Sequence, residues 1–218
     1  MSSNIGSIES KIVLVAFFWC VIALFVQLFR ARKKSAIDAR EYSRPAKCKN
    51  IFKAIIYNFT KAMSPYYKES ARLHPLKFIM GITMHLGIFL SILKFIQLLF
   101  FPWTISYNLI ISSSILAFAI FITSALSGVF LLFNRIFSSE LRSISNLDDY
   151  ISIILSILIL VSSALNDIFL MINNDQMFLI YALLFFYIPV GKLRHAIFFF
   201  AVRVDFAKKL GHRGVYPL

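Results

Sequence analysis

The chain is poor in charge and poor in cysteine. Only 15% of its 218 residues are charged, against about 25% in ordinary soluble domains. With 59% of residues apolar, too little polar surface remains to face water, which excludes a soluble globular domain. Two cysteines, Cys20 and Cys48, make neither a CxxC nor a regular spacing, so no disulfide framework or zinc site follows. There is no phosphate loop, zinc-ligand motif or nucleophile elbow, and no internal repeat or low-complexity tract. The serines, Ser112-Ser113-Ser114 among them, read as helix-packing residues instead of nucleophiles.

What the chain does have is long apolar runs. A helix crosses a bilayer in roughly 20 residues. Five runs meet that length, at about Ile12–Phe29, Pro75–Phe101, Ile105–Phe133, Tyr150–Ile172 and Met177–Phe206. The sequence therefore predicts an all-α membrane protein, a single membrane domain with five transmembrane helices in an up-down bundle. The first run is followed by Arg30-Ala31-Arg32-Lys33-Lys34 in place of a small-residue cleavage site, so it reads as a retained span.

Cations are distributed on one side. Residues 30–77 hold 13 Lys or Arg against three acids. Arg135 and Arg142 lie between the third and fourth runs, and Lys208, Lys209 and Arg213 follow the fifth. The two remaining connections, Pro102-Trp103-Thr104 and Asn173-Asn174-Asp175-Gln176, have none. Positive-inside logic places the N-terminus outside and the C-terminus in the cytoplasm, which makes this a multi-pass protein of the cell membrane. The net charge of +13 is then a sidedness signal and not a nucleic-acid signature. Its expected partners are membrane lipids with anionic heads and an acidic face of a cytoplasmic protein.

Within the long basic connection, residues 50–63 place apolar side chains at 51, 52, 55, 56, 59, 62 and 63, a helical stripe. With Lys53 and Lys61 off that stripe, the segment suits an interfacial amphipathic helix on the inner leaflet, or a docking helix for a partner protein.

Ionisable side chains inside a bilayer are costly and usually functional. His85 lies about ten residues into the second run, roughly 15 Å deep at 1.5 Å per residue. The fifth run leaves on the cytoplasmic side near Phe206, about eleven residues beyond His195, which puts His195 at roughly the same depth. Two imidazoles at one depth on two helices suit bis-axial ligation of haem iron; an interhelical hydrogen bond from each is the other reading. Gly81, Gly87 and Gly191 flank the two histidines, where a missing side chain lets a macrocycle or a neighbouring helix approach. Lys77, Lys192, Arg194 and Arg203 offer cations to haem propionates, or snorkel to the headgroups. Lys94 and Asp167 lie at matching depths near the outer face. They form a candidate ion pair, with Asp167 the expected proton acceptor for a quinol and Lys94 tuning it.

The stretch "IPVGKLRHAIFFFAVR" (188–203) resembles the last-span motif of the cytochrome b family that contains the gamma subunit of respiratory nitrate reductase. The membrane cytochromes of heterodisulfide reductase and of the sulfite-reduction-associated complex resemble it too. "MHLGI" (84–88) is similar to that family's first haem-ligand segment, and "KKLGHRGVYP" (208–217) to the tail of the heterodisulfide-reductase branch. The resemblance implies one haem b on His85 and His195, nearer the cytoplasm. The family's outer haem ligands would fall at Phe95 and Met177, neither of which is histidine. His74 and His212 offer an alternative second pair, at the inner surface. The expected function is electron transfer between the quinone pool and a cytoplasmic iron–sulfur subunit, with terminal chemistry on another chain. A haem-free anchor or scaffold subunit is the alternative.

Overall fold

The computed structural model describes residues 7–38, 50–67, 69–100, 114–168 and 173–210. Among these residues the only regular elements are helices: α1 Ile8–Asp38, α2 Ile51–Phe59, α3 Glu69–Leu73, α4 Pro75–Phe100, α5 Ser114–Phe137, α6 Ser139–Ser143, α7 Leu147–Ile168, α8 Asn174–Tyr187 and α9 His195–Leu210. Four of them, α1, α4, α5 and α7, are long and apolar enough to cross a membrane. The count becomes five if the broken pair α8 and α9 is one span.

The uninterrupted fifth helix expected over Met177–Phe206 is therefore corrected. Helix α8 stops at Tyr187, and a 3-10 turn at Lys192–Arg194 precedes α9. The cause is local. Pro189 has no N–H to give to the preceding turn and its ring opposes a continuing helix. The Tyr187 carbonyl instead accepts from Val190 N at 3.0 Å and Gly191 N at 2.8 Å, which turns the chain. Gly191 is buried beneath the Tyr187 ring, where a Cβ would overlap it. The ring is held in turn, because its hydroxyl bonds the Asp148 carboxylate and Ser152 Oγ. Lys192 Nζ meets Asp149 Oδ2 at 2.6 Å, and Arg135 meets Asp149 Oδ1 at 3.2 Å. The turn is thus pinned to the start of α7.

The described residues form two compact units. The first comprises residues up to Cys20 and Ile79–Lys192; the second comprises Val21–Phe78 and residues from Leu193 onward. In the first, α5 and α7 make the main helix pair. Its core joins Met84, Phe121 and Leu160 to Ala117, Ala125 and Ala164. Small residues bring the backbones together. A Cβ at Gly87 would collide with Ser124, and one at Gly128 would come within 2.8 Å of Ile157. Ser91, Ser124, Ser156, Ser162 and Ser163 are buried, while Ile79, Leu86, Phe89, Leu126 and Leu183 are exposed. Small and hydroxyl residues inside with large apolar residues outside is the arrangement that suits a lipid solvent.

In the second unit, α2 packs on α9, with Phe59 and Phe200 stacked at 5.9 Å. Asn50 starts α2 by accepting from Phe52 N at 3.0 Å and Lys53 N at 3.2 Å, which satisfies two of the free donors at the helix end.

Candidate functional site

Helix α4 carries His85 on an exposed face shared with Ile82, Leu86 and Phe89. A polar ring among lipid-facing carbons is unfavourable unless something covers and binds it. Its geometry is specific. His85 Nδ1 lies 2.6 Å from the Gly81 carbonyl, one turn earlier. A carbonyl can only accept, so Nδ1 carries the hydrogen. In the neutral ring Nε2 then keeps its lone pair. Anchoring one ring nitrogen on a backbone carbonyl is the usual support of a metal-ligating histidine, because it fixes tautomer and orientation.

The three flanking glycines separate into different roles. A Cβ at Gly81 would meet nothing within 4 Å, so the helix surface beside His85 is open. Gly87 is instead consumed by the contact with Ser124, and Gly191 by the turn under Tyr187. Only Gly81 keeps the cradle that a flat macrocycle needs. A neutral imidazole nitrogen of this kind is one that haem iron takes as an axial ligand.

His195 is the first residue of α9, exposed, directly after the 3-10 turn. It belongs to the second unit and His85 to the first. The rise of a single helix does not carry through the break at 188–194, so the matching depth expected of His195 does not follow. Arg194, in the turn, is exposed; Lys77 is half-buried near the start of α4. Arg203 stacks over the Phe199 ring at 5.4 Å. Lys192 is taken up by Asp149. His74 is exposed between α3 and α4, whereas its proposed companion His212 lies outside the described residues.

Near the far end of α4 the expected outer ligand positions, Phe95 and Met177, are both fully buried. Phe95 packs on Tyr181 at 4.8 Å and Phe185 at 5.0 Å, and reaches Phe178 at 6.5 Å. Helices α4 and α8 are in direct aromatic contact at this level. The residues there do not fit a macrocycle, by chemistry or by space. Installing both ligands, as Phe95→His with Met177→His, is accordingly expected to leave the haem content per chain unchanged. Pyridine haemochrome assay of the purified double variant measures this.

One turn away lies a polar cluster that sequence reasoning missed. Tyr181 Oη donates to the Ser91 carbonyl at 2.8 Å and lies 2.7 Å from Ser91 Oγ, which in turn is 2.8 Å from Ser163 Oγ. Lys94 Nζ donates to the Ser163 carbonyl at 3.0 Å and stands 5.6 Å from the centre of the Phe121 ring. Lys94 is thus bound into the contact between α4 and α7. Asp167 lies within α7, but its side chain is outside the described residues, so the expected pair with Lys94 is not addressed. These partners are separated by 72 and 90 positions in the chain, and nothing in local sequence announces them.

No family model, curated protein or solved structure matches the chain.

Proposed function

We propose that this protein is a haem b-containing membrane subunit of a respiratory oxidoreductase, transferring electrons between the quinone pool and a cytoplasmic iron–sulfur subunit. The observation that carries the reading is His85: its Nδ1–H bonds the Gly81 carbonyl at 2.6 Å, beside an open helix surface. This is an imidazole prepared to offer Nε2 to a metal from within a transmembrane segment.

His85 and His195 would hold the iron, and Lys77, Arg194 and Arg203 would face the propionates. Bound haem supplies a one-electron carrier, which no side chain of this sequence provides. The protein's own contribution is to orient the ligands, exclude water and set the polarity around them. The topology in this proposal has the N-terminus outside and the basic connections in the cytoplasm, where they would dock an acidic partner subunit. Asp167, near the opposite face, is the group proposed to receive a quinol proton, with Lys94 tuning it. The aromatic packing of Phe95 speaks against a second haem at that level.

The test is a reduced-minus-oxidised spectrum of the purified protein. A b-type band that vanishes in both His85→Ala and His195→Ala is the expected result. A protein that folds and purifies without any such band would be the haem-free anchor subunit instead.

A further inference from the structure

Helix α2 leaves part of its apolar stripe uncovered. Its fully packed positions are small or polar, beside the Phe59 ring stacked on Phe200: Ala54 is fully buried, and Asn58 is buried with its Nδ2 donating to the Ala54 carbonyl at 2.9 Å. Ala62, just beyond in the following 3-10 turn, is buried as well. The side it turns outward is large and apolar: Ile51 is 54% exposed, Phe52 70% and Ile56 46%. At about 100° per residue these three side chains share one broad face, and Lys53 lies at its edge. Beyond the helix, Lys61 is exposed and sits 5.3 Å from the centre of the Tyr67 ring. Tyr66 beside it is the most open aromatic of the segment.

We propose that this face of α2 is a lipid-binding surface, with Ile51, Phe52 and Ile56 in the acyl region of the inner leaflet and Lys53 and Lys61 on the phosphates of anionic lipids. The inference does not depend on the electron-transfer reading. Four observations select lipid over a protein partner. The outward face has the same large apolar composition as the outward faces of the long helices α1 and α4, between which α2 lies in the chain. The cations stand at the rim of the apolar face and not within it, which matches a helix lying in the interface plane. Tyrosines adjoin the cations, and tyrosine concentrates at headgroup depth. The cation excess of residues 30–77 supplies the charge complementarity to anionic heads.

The full chain is reconstituted in nanodiscs of phosphatidylcholine containing a minority of phosphatidylglycerol. Phe52→Trp is introduced with Trp19→Phe and Trp103→Phe, and Ile56→Trp in the same background reports the same face should the first variant fold poorly. Bromine is placed on the acyl chains of one lipid or the other at equal mole fraction. The expected result is emission lowered about twofold by brominated lipid and little affected by acrylamide, as for an indole lying at the acyl boundary. Brominated phosphatidylglycerol is expected to quench more than brominated phosphatidylcholine, and Lys53→Gln with Lys61→Gln to abolish that preference. Equal quenching by both lipids overturns the anionic-headgroup assignment. Strong acrylamide quenching without bromine quenching overturns the surface as a whole and makes it a docking face for a soluble protein.

Discussion

Gly81→Phe is expected to abolish the b-type absorbance of the purified protein, with haem content falling at least about tenfold, while thermal unfolding of the apoprotein stays within about 0.5 kcal/mol of the parent, as for a surface substitution that meets no neighbour. The two halves of this expectation come from one fact. A Cβ at Gly81 meets no atom within 4 Å, so the folded chain has room for a side chain there. The same opening adjoins the His85 ring, whose Nδ1 is tied to the Gly81 carbonyl. In the proposed haem site His85 would hold the macrocycle beside this face of the helix, where a phenyl ring at position 81 would compete with it for space. Most substitutions that remove a cofactor do so by loosening the fold; this one separates the two. Haem-loaded Gly81→Phe with a normal spectrum would move any porphyrin away from this side of α4. Loss of haem with an unchanged unfolding curve would tie it to the Gly81–His85 face.

Phe95→Ala carries the largest expected loss of stability, about 3–5 kcal/mol by the measure of buried aromatic truncations. The ring is fully buried and touches rings on two helices, with Phe17 of α1 6.3 Å away and Tyr181 and Phe185 of α8 at 4.8 and 5.0 Å. Its removal would leave a void walled by stiff aromatic groups, which collapse poorly. In a bilayer the transfer part of the cost shrinks, because separated helices expose the ring to lipid and not to water. The cavity part remains, since it reflects lost contacts. The lower end, about 3 kcal/mol, is therefore expected for unfolding within mixed micelles. Phe95→Leu, which keeps most of the volume, should cost less than about 1.5 kcal/mol. Denaturant titration in micelles, followed by circular dichroism, measures both. Equal values for the two variants would mean that packing at this position does not hold α4 to α8.

Much of the helix pattern was legible from local sequence. The long apolar runs could only be membrane-quality helices, and α1, α4, α5 and α7 fall where those runs lie. The stripe at 51–63 announced α2, and Asn50 is a cap of a familiar kind. The fifth run was the exception. Its apolar content read as one span, while Pro189 and Gly191 end α8 and turn the chain. Hydropathy averages over a window and is blind to a single missing N–H. The stripe suited an interfacial or a docking helix, and Ile51, Phe52 and Ile56 of it are exposed. Periodicity finds the apolar stripe but not which of its residues are covered, and here Phe59 is packed on Phe200 while Phe52 is left exposed.

The candidate site was legible only as a set of unusual residues. A histidine inside an apolar run is visible in any sequence. That its Nδ1 is occupied by the Gly81 carbonyl, that Gly81 alone of three glycines stays open, and that Lys192 is taken by Asp149, required coordinates. The hydroxyl cluster of Ser91, Ser163 and Tyr181 likewise joins three helices through contacts that no spacing encodes.

Composition by itself determined that this chain is a helical, membrane-quality protein, because backbone polar groups in apolar runs of that length must be satisfied within each segment. Which apolar residue faces lipid, which glycine is filled by a neighbour and which nitrogen of His85 is left to bind were decided only by the packed helices. Those choices depend on the partner across each helix contact, and the partner lies far away along the chain.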